Sequence, residues 1–393
     1  MSVWKAQSIL KLLAITVIAS PILSSPSEAA TWRVEKDGSG DFTVIQDALD
    51  AAAPGDSVLI GPGRFDTMRT RNLLLNGVRS AGIMWVTTPG LTIVGSGSES
   101  TIVGPSTYVG EFDTENTTSL TVDGGANCEI RGIWFENTRF EVNFYAPTIM
   151  EDCKITRGLF RTDSSLFVGF CAGVVIRRVE LVNTGGINTL PGASDLLIEE
   201  CTIEDESDWT YGIQLSNSPP NVTVRNCTIT GGGGGIQYSG TGVVEDCVLQ
   251  GQRGTGLEAV GGGHMVARRC HIGVTRSPLW VSIGRLELYD SVLEGGTRET
   301  IYSTAEIYVR NSHILNAGGW SVYGRTSVAG EFIDVRNNWW GSPDPTQIAA
   351  WIDDRYGTVL WEPYNDMAIP TESSSISGLK GRFRRGGDGP RPD

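Results

Sequence analysis

Histidine is scarce in this chain: three residues in 393 leave little material for a histidine-built metal or acid–base centre. Seven cysteines are present, but no Cys-x-x-Cys pair, so the usual structural zinc signature is missing. No long basic stripe occurs before the final residues, and the net charge is −14, which excludes a nucleic-acid-binding face. Past the N-terminus, no stretch reaches the roughly 18 apolar residues of a membrane helix. No recurring Leu-x-x-Leu-x-Leu pattern is found, which sets aside a leucine-rich horseshoe. Glycine, in contrast, is plentiful: 50 residues, with no collagen-like period. With many β-branched residues, this composition predicts a β protein with many turns.

The two ends differ from the body. Residues 1–30 read as a secretory signal, with Lys5 and Lys11 ahead of a mostly apolar run from Ile9 to Ile22 and a small-residue site at Ala29 and Ala30. Residues 371–393 are rich in Ser, Gly, Pro and Arg and read as a disordered basic tail. The first segment carries two basic residues and one acidic, the tail five basic and three acidic, which leaves residues 31–370 at −17. The expectation is an exported monomer, secreted or periplasmic, with no membrane span after signal removal. So acidic a body repels polyanions unless calcium bridges them.

The dominant signal is internal repetition. One pattern recurs, two apolar-alternating segments broken by a polar pair: Ile149 to Ile155, Val175 to Leu181, Ile198 to Ile203, Val222 to Ile229, Val244 to Leu249, Ala267 to Ile272, Leu288 to Leu293, and Val309 to Ile314. Val335 to Trp340 closes the series. Alternation sends every second residue inward. Asn, Asp or Gly at the polar pair suits a left-handed corner, although Arg178 and Arg269 fit that conformation less well. Coils of about 22 residues without intervening helices predict an all-β parallel β-helix, each coil pairing with the next.

A third strand completes each coil, and its middle residue points outward. Stacking the coils lines up Gln214, Gln237, Glu258, Trp280, Tyr302 and Tyr323 as an exposed ladder, with a weaker extension back through Asn188, Phe167 and Asn143. Short helices are expected to cap the stack. Thr43 to Ala53 shows an apolar face, with Thr43 and Gln46 at capping-box spacing. Thr346 to Asp354 groups Ile348, Trp351 and Ile352.

Two segments resemble a known family. Asp37 to Ala52, followed by Pro54 to Ile60, is similar to the N-terminal cap of pectin-lyase-like right-handed β-helix proteins. Asn337 to Gly341, with Asp344 and Pro345, is similar to the closing coil of bacterial right-handed β-helix repeat proteins. The resemblance covers most of residues 31–365 and implies a right-handed solenoid. It implies no particular activity, because that superfamily holds lyases, hydrolases, esterases and epimerases. None of their catalytic elements carries over. The only Asp-Asp is Asp353-Asp354, assigned to the C-terminal cap rather than the ladder, and the nearest approach to Gly-His-Gly is Gly263-His264-Met265.

The chemistry is therefore read from the ladder. Aromatic rings beside amide and carboxylate groups suit sugar faces and hydroxyls. Trp209, in the acidic loop from Glu204 to Asp208, joins Gln214, Gln237, Glu258, Trp280, Tyr302 and Tyr323 as a candidate ligand contact. Asp205 and Asp208 are the calcium candidates. Glu258 is the single, weak candidate catalytic residue: glycoside hydrolysis usually takes two carboxyl groups, and the ladder read from sequence offers only this one. The expected role is non-catalytic binding of a polysaccharide or cell-surface component. The alternatives are a lyase or hydrolase with an unfamiliar site and a rod without a ligand. Five cysteines share one inward repeat position and read as a packing column.

Overall fold

The computed structural model describes residues 28–75, 78–113, 115–156, 166–274, 276–315, 318–326 and 331–370. Residues 1–27, most of the segment 1–30 read from sequence as a signal, and the tail from 371 onward lie outside the described residues.

Three long sheets run the length of the molecule, with 14, 11 and 14 strands. Each coil of the repeat from Lys154 to Leu315 contributes one strand to each sheet, and coil-to-coil pairing is parallel. The antiparallel pairings lie near the N-terminal end, where Arg69–Leu75 meets Val78–Val86 and Glu111–Phe112 meets Glu115–Val122.

Side-chain alternation builds the core as three inward columns. In the first sheet, Met150, Ile176, Ile198, Val224, Val244, Ala267, Leu288 and Val309 are successive partners. In the third sheet the column runs through Leu166, Ile187, Ile213, Ile236, Leu257, Leu279, Ile301 and Val322. All are fully buried. A Leu, Ile or Val buried this way stabilises by about 1.5–3 kcal/mol. A one-residue slip would turn each column to solvent, which fixes the register.

The corner between the first and second sheets has left-handed backbone in every coil of the repeat. Asp152, Glu200, Asn226, Asp246, Asp290, Asn311 and Asn337 have φ between 50° and 58°. Arg178 and Arg269 adopt it too, both at φ 51°. Their side chains lie back along the stack onto the corner of the preceding coil. Arg178 Nε donates to Asp152 at 2.7 Å, and Arg269 donates to both oxygens of Asp246 at 2.8 Å. These charge-assisted bonds offset a backbone cost of about 1–2 kcal/mol.

The inward cysteine position explains how the corner is satisfied. Cys153, Cys201, Cys227, Cys247 and Cys270 each donate from Sγ to the carbonyl two residues earlier, at 3.1–3.3 Å. Ser291 and Ser312 make the same bond at 2.7 Å. All seven cysteines are buried and free.

Both caps differ from the sequence expectation. The N-terminal helix spans Ile45–Ala51 and lacks a side-chain cap. Gln46 is buried and instead bonds the backbone of Trp85 in both directions, at 2.7 and 3.2 Å. It pins the helix to the first coil rather than closing a capping box. At the other end the helix spans only Pro345–Ala350, with Asp344 accepting from Thr346 N at 2.9 Å. Ile352–Asp354 then forms a strand of the third sheet, paired with Trp320–Gly324. Asp353 is opposite Tyr323, so it belongs to the ladder, contrary to its assignment from sequence. Among the described residues, no helix is long and apolar enough to cross a membrane.

Candidate functional site

The outward column of the third sheet follows the order read from sequence. Asn143, Phe167, Asn188, Gln214, Gln237, Glu258, Trp280, Tyr302 and Tyr323 are direct partners in succession. Strand spacing sets the rungs about 4.8 Å apart. Asn143 and Phe167 are buried, so the accessible stretch begins at Asn188 and ends at Asp353.

This stretch has two chemically distinct halves. The polar half is a chain of amides ending on one carboxylate. Asn188 Nδ2 donates to Gln214 at 3.4 Å, and Gln214 Nε2 donates to Gln237 at 2.9 Å. Gln237 Nε2 donates to Glu258 Oε2 at 3.4 Å, and Thr255 Oγ1 donates to the same oxygen at 3.2 Å. A third donor is the phenol of Tyr211, two coils away. Its ring crosses Gly234, where an added Cβ would lie 2.2 Å from Tyr211 Cε1. Burial, reinforced by the negative charge of Glu258, holds the Tyr211 phenol well above its ordinary pKa.

The aromatic half is a stacked shelf. Trp280 and Tyr302 lie 4.0 Å apart between ring centroids and within 17° of parallel. Tyr302 and Tyr323 follow at 5.5 Å and 21°. Guanidinium groups bracket the shelf: Arg276 is 5.5 Å from the Trp280 ring centroid, and Arg325 is 4.3 Å from that of Tyr323. The rings therefore meet face to face, the guanidinium groups cover the outer faces of the stack, and the ring edges form its outward side.

The acidic loop is placed differently. Trp209 is 87% exposed and sits in the loop leading into Tyr211–Leu215, outside the column. Asp205 is buried and already occupied: Ser207 donates its N–H at 2.9 Å and its hydroxyl at 2.7 Å, and the Thr210 hydroxyl also donates. Asp208 pairs with Arg253. Among the described residues, no group of three or more His, Cys, Asp and Glu side chains could hold a metal ion. His264 and His271 pair with Glu287 and Glu294, at 3.0 and 3.1 Å.

Sequence reasoning missed Tyr211, because its contact with Glu258 crosses two coils, and Thr255, which reaches Glu258 from the start of the same strand. It also missed the flanking arginines, which leave the third strand at its ends. Only the third-strand alternation, applied also to strand-terminal residues, could have exposed them.

The fold has counterparts among known proteins. The family model for the right-handed β-helix region matches residues 82–272. The three-sheet parallel solenoid agrees with the fold that this model describes. It is similar to the catalytic unit of an α-1,3-glucanase from Streptomyces thermodiastaticus, with 13% identity, 89% of this chain and 73% of that chain covered, and a TM-score of 0.50. Pectate lyase Pel9A is also similar, at 11% identity, covering 86% and 79%, with a TM-score of 0.40. The A-module of the Azotobacter vinelandii mannuronan C-5 epimerase AlgE6 is similar at 15% identity, covering 75% and 71%, with a TM-score of 0.39. No curated protein matches the chain.

Proposed function

We propose that this is an exported protein that binds a polysaccharide along the accessible third-sheet column without turning it over. The observation that carries this reading is the stacked run of Trp280, Tyr302 and Tyr323, continuous with the hydrogen-bonding run from Asn188 to Glu258. The outward edges of the stacked rings offer a pyranose an apolar strip, and the amides and carboxylate take its hydroxyls. The test is size-exclusion chromatography of the purified protein with neutral and acidic polysaccharides, with calcium and again with chelator. Co-elution without shortening supports binding. A shift of the polysaccharide to smaller size overturns it in favour of catalysis.

A second reading, a lyase or hydrolase, draws on the contact between Tyr211 and Glu258. A carboxylate with three donors on Oε2 is fixed in orientation beside the shelf, as a positioned acid–base group would be. Glu258→Gln separates the two: loss of turnover with binding retained favours the enzyme.

A further inference from the structure

The shelf does not simply stop at Tyr323. A cavity of about 330 Å³ opens beside it, lined by Arg298, Glu299, Trp320, Tyr323 and Arg355. Tyr323 thus belongs to both the shelf and the cavity. Glu299 and Trp320 are direct strand partners, so carboxylate and indole stand side by side. The indole is 44% exposed, a large apolar surface left open, while Glu299 is buried.

Each guanidinium group at this pocket is held by a carboxylate. Arg298 Nε is 3.5 Å from Glu299 Oε2, and Arg355 is 3.2 Å from Asp353 Oδ2. Within these two pairs the charges cancel, and Arg325, over Tyr323 at 4.3 Å, is outside the lining. Paired donors and acceptors around aromatic rings suit the hydroxyls and CH face of an uncharged sugar. An anionic sugar would have to displace Glu299 or Asp353 from its arginine. The volume lies near the lower bound of small-molecule sites, roughly 300–1,000 Å³, which admits a sugar unit and not a threaded polymer. Ile352–Asp354 is also the edge strand of the third sheet, so no further rung continues the shelf.

We infer that this pocket is a subsite for the terminal, uncharged sugar unit of a chain whose preceding units lie along the outward ring edges of Tyr323, Tyr302 and Trp280. It rests on the third-sheet column being a carbohydrate-binding face. The test is isothermal titration calorimetry of the full chain with neutral gluco-, manno- and galacto-hexasaccharides, with hexagalacturonate, and with the matching long polysaccharides. The variants are Trp320→Ala, Glu299→Gln and Trp280→Ala, each checked for a cooperative thermal transition well above the assay temperature. Trp320 is partly exposed, so its truncation keeps the test alive if the buried Glu299 variant fails to fold.

The expected result is a neutral hexasaccharide bound about tenfold more weakly by Trp320→Ala. The long polysaccharide, with few ends, should change much less, and Trp280→Ala should weaken both. If Trp280→Ala weakens the hexasaccharide while Trp320→Ala does not, the pocket inference fails and the shelf stands. Preference for hexagalacturonate over every neutral hexasaccharide overturns the uncharged class. Absence of binding to any saccharide removes the shelf reading, and the pocket with it.

Discussion

Tyr211 lies across Gly234 and donates its phenolic proton to Glu258, two coils further along the stack. Glycine is required at the crossing because any Cβ at position 234 would collide with the ring. The residue that shapes the only ladder carboxylate between Asn188 and Tyr323 is therefore outside the ladder.

That relationship can be read by titration. The phenol is held up first by burial and then by the charge on Glu258. Glu258→Gln should lower the pKa of this phenol while burial keeps it above the ordinary value of about 10. Tyr211→Phe should delete one late step from the ultraviolet ionisation curve. If Tyr211→Phe instead removes a step near the ordinary tyrosine value of about 10, the phenol is not held up and the contact does not exist in solution.

Trp280→Ala removes the ring that joins the polar half to the aromatic half. Stability should fall modestly, since a stacked pair contributes about 0.5–1.5 kcal/mol beyond its buried area. Binding to any polysaccharide that co-elutes with the parent should drop by about tenfold or more. Equal retention by parent and variant on an affinity gel would remove the shelf from the site.

The outer face of the first sheet predicts acid sensitivity. Glu199 stands between Arg177 and Arg225, and Asp334 between Arg310 and Arg336. Burial opposes ionisation of both carboxyls, but the arginine hydrogen bonds win and depress both pKa values. A depressed carboxyl contributes stability that is complete above its unfolded pKa, about 4. That stability is lost as pH falls through the folded value. Urea midpoints should hold level from neutrality to about pH 5 and fall below it, less steeply in Glu199→Gln. The same variant leaves two guanidinium groups facing a neutral amide and should cost about 1–3 kcal/mol at pH 7. An unchanged acid limb in Glu199→Gln would refute the assignment.

The cysteine column predicts silence toward thiol reagents. Burial pushes the thiols of Cys153 and Cys270 up to about 12. Folded protein should release almost no thionitrobenzoate from Ellman's reagent, and protein in denaturant should titrate all seven thiols. Cys247→Ser should cost under about 1 kcal/mol because the serine hydroxyl can make the same carbonyl bond, as Ser291 and Ser312 already do. Cys247→Val loses that bond and should cost more. The order of the two thermal midpoints decides the point.

What was legible in the sequence was whatever is local and periodic. The inward columns and the ladder from Gln214 to Tyr323 follow from two-residue alternation repeated at coil spacing, so one register call fixes them together. Asp353 was hidden because Ile348, Trp351 and Ile352 satisfy helical spacing, while pairing with Trp320–Gly324 turns residues 352–354 into a strand. Arg178 and Arg269 looked wrong for a left-handed corner because their partners, Asp152 and Asp246, lie a full coil away. Gln46 fitted a capping box by spacing, yet its amide goes to Trp85, 39 residues on. In each case the deciding contact is between coils, where single-coil reasoning has no reach.

The unbroken inward columns carry a further consequence. Each coil touches mainly its two neighbours, so the molecule behaves as a one-dimensional chain of coupled units. A lesion such as Ile213→Asp in the polar half should melt its own neighbourhood before the aromatic half loosens. The seam between Thr255–Ala259 and Ser277–Val281, where Glu258 faces Trp280, is then the point at which the two halves exchange cooperativity. The amide run and the ring stack can thus be altered independently on either side of that seam.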